Sequence, residues 1–311
     1  MTFCIVYLAS PRDFIFDNMP RIDILRGSLQ TTKQLFPNTD IYVFHEDYTD
    51  DDKASICEIK EFIKIDFSTY DKPLNPALNR RRGYMMMNRF YSGIMQSYPQ
   101  LQNYTHYMRL DDDSFLLQPF LTESYVQNEL TKYDYVYRCH YNEEGHDPMH
   151  QKLYSFTLDF LRESGHGAHI DTLDAYLRKD GFLNPDGTTR CWAPYNNFHI
   201  ASLRLWNNEL IRRYLDKIES INGFLGEGFF ETAVQAMMTR VLTLFIGMKI
   251  TSDTTFGYRH NCHFGLMDTT RIHFVNASSL RPLVETVLRD QTRLENTQEY
   301  LQQSDTAHSG V

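Results

Sequence analysis

The chain has 311 residues, with 31 Lys+Arg against 40 Asp+Glu, a formal charge of −9 and 42% hydrophobic residues. A chain of that length buries roughly three quarters of its unfolded surface, so it folds without disulfide or metal staples, and its apolar content is far from that of a disordered protein. The net acidity argues against a partner in nucleic-acid phosphate or an anionic membrane, since both call for a basic surface.

The first apolar run, Phe3 to Ala9, is too short to span a membrane and has no basic residues before it. It reads as a first strand and not as a signal peptide. After Pro20, Ile22, Leu25, Leu29 and Phe36 recur at near-helical spacing, and Ile41 to Phe44 is predicted as a second strand. Asp50-Asp51-Asp52 opens a short helix around Ala54 to Ile59, and Phe62 to Phe67 reads as a third strand. This β-α-β-α-β order predicts an α/β fold with a doubly wound, mostly parallel sheet that binds ligands at the carboxyl ends of its strands.

A loop from Lys72 to Pro76 and on through Arg80-Arg81-Arg82 leads into a helix over Tyr84 to Tyr98, ended by Pro99. Tyr104 to Leu110 is predicted as a strand running into Asp111-Asp112-Asp113, and Asp134 to Arg138 as another. Residues 142–192 are irregular, with helices near Leu153 to Glu163 and Thr172 to Arg178. Phe198 to Leu205 reads as strand, Asn208 to Ile218 as helix, and Glu231 to Leu244 as a long buried helix. Without a repeat or linker, residues 1–281 are taken as one domain and 282–311 as a C-terminal helix and mobile polar tail. The five scattered cysteines, an odd number without a Cys-x-x-Cys pair, fit free thiols in a reducing compartment.

Asp111-Asp112-Asp113 carries the most chemical information. Side chains two apart on an extended segment share a face, so Asp111 and Asp113 project together while Asp112 points elsewhere. Two carboxylates so placed repel unless a cation neutralises them, and a hard divalent ion, Mn²⁺ or Mg²⁺, also held by a diphosphate is the natural partner. The triplet at Asp50 is different: it precedes a helix, where N-capping and the helix dipole account for it. One imidazole, from His260 or His263, would complete the metal shell. Arg80 to Arg82, Arg89 and Arg109 form a basic zone suited to phosphate. Neither a P-loop nor Gly-x-Gly-x-x-Gly occurs, which removes support from ATPase and dinucleotide readings.

Six segments, Tyr84-Met-Met-Met-Asn-Arg89 with Ser92-Gly93, Tyr98-Pro-Gln-Leu101, Tyr107-Met-Arg-Leu-Asp-Asp-Asp113, Asn197-Phe-His-Ile-Ala201, Gly228-Phe-Phe-Glu-Thr-Ala233 and Gly257-Tyr-Arg-His260, together resemble one family. In order and spacing the chain is similar to the fungal Golgi α-1,2-mannosyltransferases of glycosyltransferase family 15, which use GDP-mannose, retain anomeric configuration and depend on Mn²⁺. The likeness spans about residues 80–265. It implies a GT-A fold, a doubly wound mixed sheet flanked by helices, with Asp111 and His260 as Mn²⁺ ligands, Tyr84 facing the donor sugar and Arg89 and Arg109 bordering the nucleotide-sugar site. Asp113 is taken as the third metal ligand from its place in the triplet, and Asp111 and Asp112 are assigned to the donor side. The likeness also implies an acceptor-side acid at Glu231, where the family usually has Asp.

Two departures bear on chemistry. The family's Glu-Pro-Asp becomes three Asp at the strand end, closer to the Asp-x-Asp of other metal-dependent glycosyltransferases. Its candidate glutamate nucleophile falls on His199, a poor substitute for a carboxylate, so His199 is expected to hydrogen-bond donor or acceptor hydroxyls. The expected activity is metal-assisted retaining transfer of mannose to an oligosaccharide or glycoprotein acceptor by front-face attack, with Glu231 or the leaving phosphate taking the proton. Rival readings are a phosphohydrolase or nuclease and a degenerate sugar-nucleotide binder. The composition favours a soluble, cytoplasmic protein, the alternative being a Golgi-lumenal catalytic segment cut from its anchor.

Overall fold

The computed structural model of the chain describes residues 2–16, 18–117, 119–142, 147–190, 192–260, 263–268, 271–276 and 284–285. The amino-terminal part runs β1 (Phe3–Leu8), β2 (Ile15–Phe16), β3 (Met19–Pro20), α1 (Arg21–Leu35), β4 (Ile41–His45), α2 (Asp50–Ala54) and β5 (Glu61–Lys64). The middle adds α3 (Arg82–Arg89), β6 (His106–Leu110), β7 (Ser114–Leu117), α4 (Glu123–Asn128), β8 (Tyr135–Tyr137), β9 (His140–Asn142), α5 (Asp147–Leu161) and α6 (Ile170–Lys179). Then come β10 (Trp192–Pro194), β11 (Phe198–Ser202), α7 (Leu203–Trp206), α8 (Glu209–Ser220), α9 (Glu231–Met237) and α10 (Thr243–Ile246). The last strands are β12 (Ile250–Ser252), β13 (Gly257–His260), β14 (His263–Asp268) and β15 (Arg271–Asn276).

Seven strands form the central sheet in the order β12-β8-β11-β6-β1-β4-β5. β1 pairs in parallel with both β4 and β6, while β11 runs antiparallel between β6 and β8. The sheet is therefore mixed and flanked by helices, as expected. The inner strands β1 and β4 are largely apolar because both faces are covered: Phe3 to Tyr7 and Ile41 to Phe44 are all buried. One face packs against Phe36 and Leu25 of the α1 side, the other against Phe90, Met95 and the buried face of α9. A second, four-stranded sheet, β15-β14-β13-β7, branches off where β6 ends.

The predicted elements hold in order, with shifted ends and two breaks. Asp50 to Asp52 fill the first turn of α2 under a capping box between Thr49 and Asp52, so the triplet opens the helix as expected, but the helix ends at Ala54 and does not run on to Ile59. The single helix expected over Tyr84 to Tyr98 is α3 followed by a wide turn, broken where Ser92 leaves helical geometry and Gly93 takes φ of 148°, a value open to glycine alone. The helix from Glu231 continues through a wide turn over Met238–Leu242 into α10 and stops at left-handed Gly247. Cys4, Cys57 and Cys139 are free thiols. Cys191, Cys262 and the predicted C-terminal helix and tail lie outside the described residues, apart from Val284 and Glu285. Among the described residues no helix is long and apolar enough to cross a membrane.

Candidate active site

The turn from β6 into β7 carries the acidic triplet. Asp111 N–H donates to Asn197 C=O and Ser114 N–H to Asp111 C=O, so the turn is pinned at both ends. β7 then pairs antiparallel with β13 in a register that sets His260 opposite Ser114. As a result, ligand atoms of Asp111, Asp113 and His260 all lie within 4.8 Å of one another. His260 Nε2 stands 3.2 Å from Asp113 Oδ1 and 3.4 Å from Asp111 Oδ2, and Tyr195 OH is 3.0 Å from its Nδ1. Asp113 is sealed, whereas the Asp111 and His260 side chains each keep 21% of their exposure, which leaves the cluster open on one side. His263 pairs with His260 in the β13–β14 register, and its side chain is outside the described set.

Two guanidinium groups hold the acids. Arg109, buried on β6, donates through Nε and Nη2 to Asp111 Oδ1 at 3.0 and 2.8 Å, and through Nη2 to Glu231 Oε1 at 2.9 Å. Its guanidinium lies 3.4 Å from the centre of the Tyr91 ring. Arg21, at the start of α1, donates to Asp112 Oδ1 at 3.0 and 2.6 Å and pairs with Asp113 Oδ2 at 2.9 Å. Asp112 also accepts from Ser10 N–H. Arg21 Nη2 thus reaches both Asp112 and Asp113, and Asp112 lines the same cavity as Asp111. Because the strand ends at Leu110 and the triplet lies in a turn, the alternation expected of an extended segment does not set these side chains apart. Burial alone would raise the carboxyls of Asp111 and Asp113, but Arg109 acting on Asp111, and His260 with Arg21 acting on Asp113, hold both below the ordinary carboxylate range. Burial would lower His260, and Asp113, with Tyr195 and Asp111, outweighs it and keeps the imidazole charged well above its usual value.

Beside the cluster, at the carboxyl ends of β1, β4 and β6, opens a cavity of about 450 Å³. Asp111 and Asp112 line it together with Tyr84, Met87 and Tyr91 from α3 and the turn after it, and with Ser10, Phe14 and Glu46 from the loops after β1 and β4. Tyr84 is half exposed and meets the Phe230 ring edge-on. Of the methionine run, Met85 and Met86 are core and Met87 is cavity wall. Glu231 heads α9, buried, with its backbone N–H donated to Asn88 Oδ1.

Several expected site residues stand elsewhere. Arg89 is turned away from the cavity: it donates to both Glu219 oxygens at 2.7 Å and to the Tyr70 carbonyl, tying α3 to α8. A helix residue five positions after Tyr84 points to a different side, and an acid was waiting there. His199 has no exposed atom. Its Nδ1–H donates to the Asn196 carbonyl at 3.1 Å, its Nε2 accepts from Tyr107 OH at 3.1 Å, and the ring stacks on Tyr135. Burial, with Arg109 close by, pushes its pKa down to about 3, so it is neutral and spent on internal bonds. Of the arginine run, Arg81 lines the cavity, Arg80 lies over Tyr84 and Phe230, and Arg82 pairs with Asp71. Arg21, Tyr195 and Glu46 escape a reading of motifs, although Glu46 follows the second predicted strand directly, a position where α/β sheets meet ligands.

Two carboxylates and one imidazole, convergent and partly open, suit Mn²⁺, which accepts both hard oxygen and a single nitrogen. A divalent cation bound there would take the place of a proton on His260 Nε2 and use that nitrogen as a ligand.

A mixed sheet with an acidic turn at the end of an inner strand, facing a cavity at the strand ends, defines a GT-A glycosyltransferase fold. The chain belongs to the family described as glycolipid 2-alpha-mannosyltransferase, whose model matches residues 64–276. It is 24% identical over 180 residues to the O-glycoside alpha-1,2-mannosyltransferase homolog 2 of Schizosaccharomyces pombe, covering 58% of this chain and 46% of that protein. It is likewise 24% identical over 155 residues to the probable mannosyltransferase KTR3 of Saccharomyces cerevisiae, covering 50% and 37%. The chain thus spans less than half the length of these curated relatives. In fold it is similar to the mannosyltransferase Ktr4p of S. cerevisiae, with a TM-score of 0.67 at 18% identity, covering 96% of this chain and 83% of that one. It is also similar to the Mn/GDP form of core-mannan synthase A of Aspergillus fumigatus, with a TM-score of 0.63 at 14% identity, covering 91% and 82%.

Proposed function

We propose that this chain transfers mannose from GDP-mannose to a hydroxyl of a saccharide acceptor, with retention of configuration. The observation that carries the reading is the convergence of Asp111, Asp113 and His260 within 4.8 Å, with Asp111 lining the cavity on the strand ends. Asp111, Asp113 and His260 would hold the Mn²⁺, which supplies charge stabilisation to the departing nucleoside diphosphate. Arg109 and Arg21 fix the acids in position before donor arrives, so no reorganisation is needed when charge develops. Tyr84, half exposed on the cavity wall, borders the sugar.

In the reaction the bond from the anomeric carbon to the β-phosphate oxygen breaks, and the acceptor oxygen bonds to the same face of that carbon. The acceptor proton passes to the released phosphate oxygen or to Glu231. His199, neutral and sealed, offers no atom for a covalent glycosyl intermediate, which supports front-face attack. Incubating the chain with Mn²⁺, GDP-mannose and mannosides tests this. Mannose transfer with an axial product linkage is expected; GDP-mannose binding without transfer or hydrolysis would turn the reading to that of a sugar-nucleotide binder.

A further inference from the structure

The acids around the cavity are almost all committed. Asp111 is held by Arg109, Asp112 by Arg21 and Ser10 N–H, Asp113 by Arg21 and His260. Asp47 accepts from Arg12 N–H at 3.2 Å, which fastens the loop after β1 to the end of β4. Glu46 differs: it lines the cavity, is exposed, and has no hydrogen bond or ion pair among the described residues. The partial cover of the cavity, together with Asp47 and Asp66, raises its carboxyl above the ordinary value.

The placement follows from the sheet. Asp111 directly follows β6 and Glu46 directly follows β4, with β1 between the two strands. Two strand spacings separate these ends by about 10 Å, the reach of a nucleoside diphosphate from its phosphates to its base. Phe14, on the loop edge of the same cavity, is 36% exposed and offers a ring on which a base can stack. A carboxylate only accepts hydrogen bonds. Guanine alone among the common bases sets two adjacent donors, N1–H and the N2 amino group, on one edge; uracil offers one N–H between two carbonyls, and adenine one amino group beside an acceptor.

We propose that Glu46 selects guanine as the donor's base, its two carboxylate oxygens accepting from N1–H and from the N2 amino group in a paired, charge-assisted contact. This rests on the sugar-nucleotide reading of the site and adds to it the residue that sets base specificity.

Calorimetric titration of the whole chain in Mn²⁺ with GDP, IDP and UDP tests it, because IDP differs from GDP only in lacking the N2 amino group. The wild type is expected to bind GDP roughly ten- to a hundredfold more tightly than IDP, the range for a hydrogen bond to a charged group. In Glu46→Gln and Glu46→Ala the GDP affinity should fall while IDP falls less, so that the ratio contracts towards one. Glu46 is exposed and unbonded, so both variants should keep the wild-type fold by circular dichroism. Equal wild-type affinity for GDP and IDP, or a GDP-to-IDP ratio that survives Glu46→Gln, overturns the assignment while leaving the sugar-nucleotide reading intact. Failure of the wild type to bind any of the three overturns both.

Discussion

Glu231 accepts a 2.9 Å hydrogen bond from Arg109 Nη2, and that same nitrogen donates to Asp111 at 2.8 Å. One buried guanidinium thereby spaces the metal-side acid and the acid at the head of α9. Glu231→Gln retains an oxygen for Arg109 and removes the charge and basicity. Transfer turnover should fall by about a hundredfold or more, the usual worth of a general base, with GDP affinity unchanged by calorimetry. Unaltered turnover would leave the phosphate as the sole proton acceptor. Arg109→Met instead strands two buried carboxylates and should cost about 3–5 kcal/mol of stability, read from urea unfolding.

Mn²⁺ should raise the melting temperature of the wild type. A ligand at a hundred times its Kd stabilises by about 2.7 kcal/mol. Asp113→Ala removes the one sealed ligand of the three, and its Mn²⁺-dependent shift should vanish. A shift of wild-type size in that variant would move the metal to another place.

His199 makes stability depend on pH. Its folded pKa of about 3 lies below the unfolded value near 6.5, so below pH 6.5 the unfolded chain takes up a proton that the folded chain refuses. Its contribution is full above that pH and is lost as pH falls towards 3. Between pH 8 and pH 5 this one group should cost about 2 kcal/mol, and unfolding curves of His199→Gln should show that much less loss over the same range. Equal slopes would mean that the imidazole is reached by water.

Arg89 offers a test of the opposite kind. Arg89→Met breaks the pair with Glu219 and should lower stability by about 2 kcal/mol with GDP affinity as in the wild type. A large loss of GDP binding, with fold preserved, would return Arg89 to the donor site.

Asp111 and Asp113 were legible because an acidic triplet at the end of an apolar strand is a local signal, although the triplet lies in the turn after β6 and its acids are brought together by Arg109, Arg21 and His260 and not by strand alternation. The apolar runs from Phe3 and Ile41 were legible for the same reason, since a strand covered on both sides must be apolar throughout. Where the sequence misled, the deciding neighbour came from far away. Arg89 looks like a phosphate ligand until Glu219, 130 residues later, is set beside it. His199 looks like a site residue because it aligns with one, but its burial depends on Tyr107 and Tyr135 from other strands. The break at Ser92-Gly93 interrupts an otherwise helical pattern, and only the backbone of Gly93 reveals it.

The pairing of β13 with β7 joins residues 140 or more positions apart. Both acids of the cluster reside on one side of that pairing and the histidine on the other, so neither stretch of chain holds the full ligand set by itself. A slip of one residue would turn His260 to the opposite face of its strand. Contacts of such long range form late, after costly loop closure. Capture of a cation by this cluster would thus be a chemical report that the chain has closed in the right register, and a misfolded copy would be marked by its indifference to Mn²⁺.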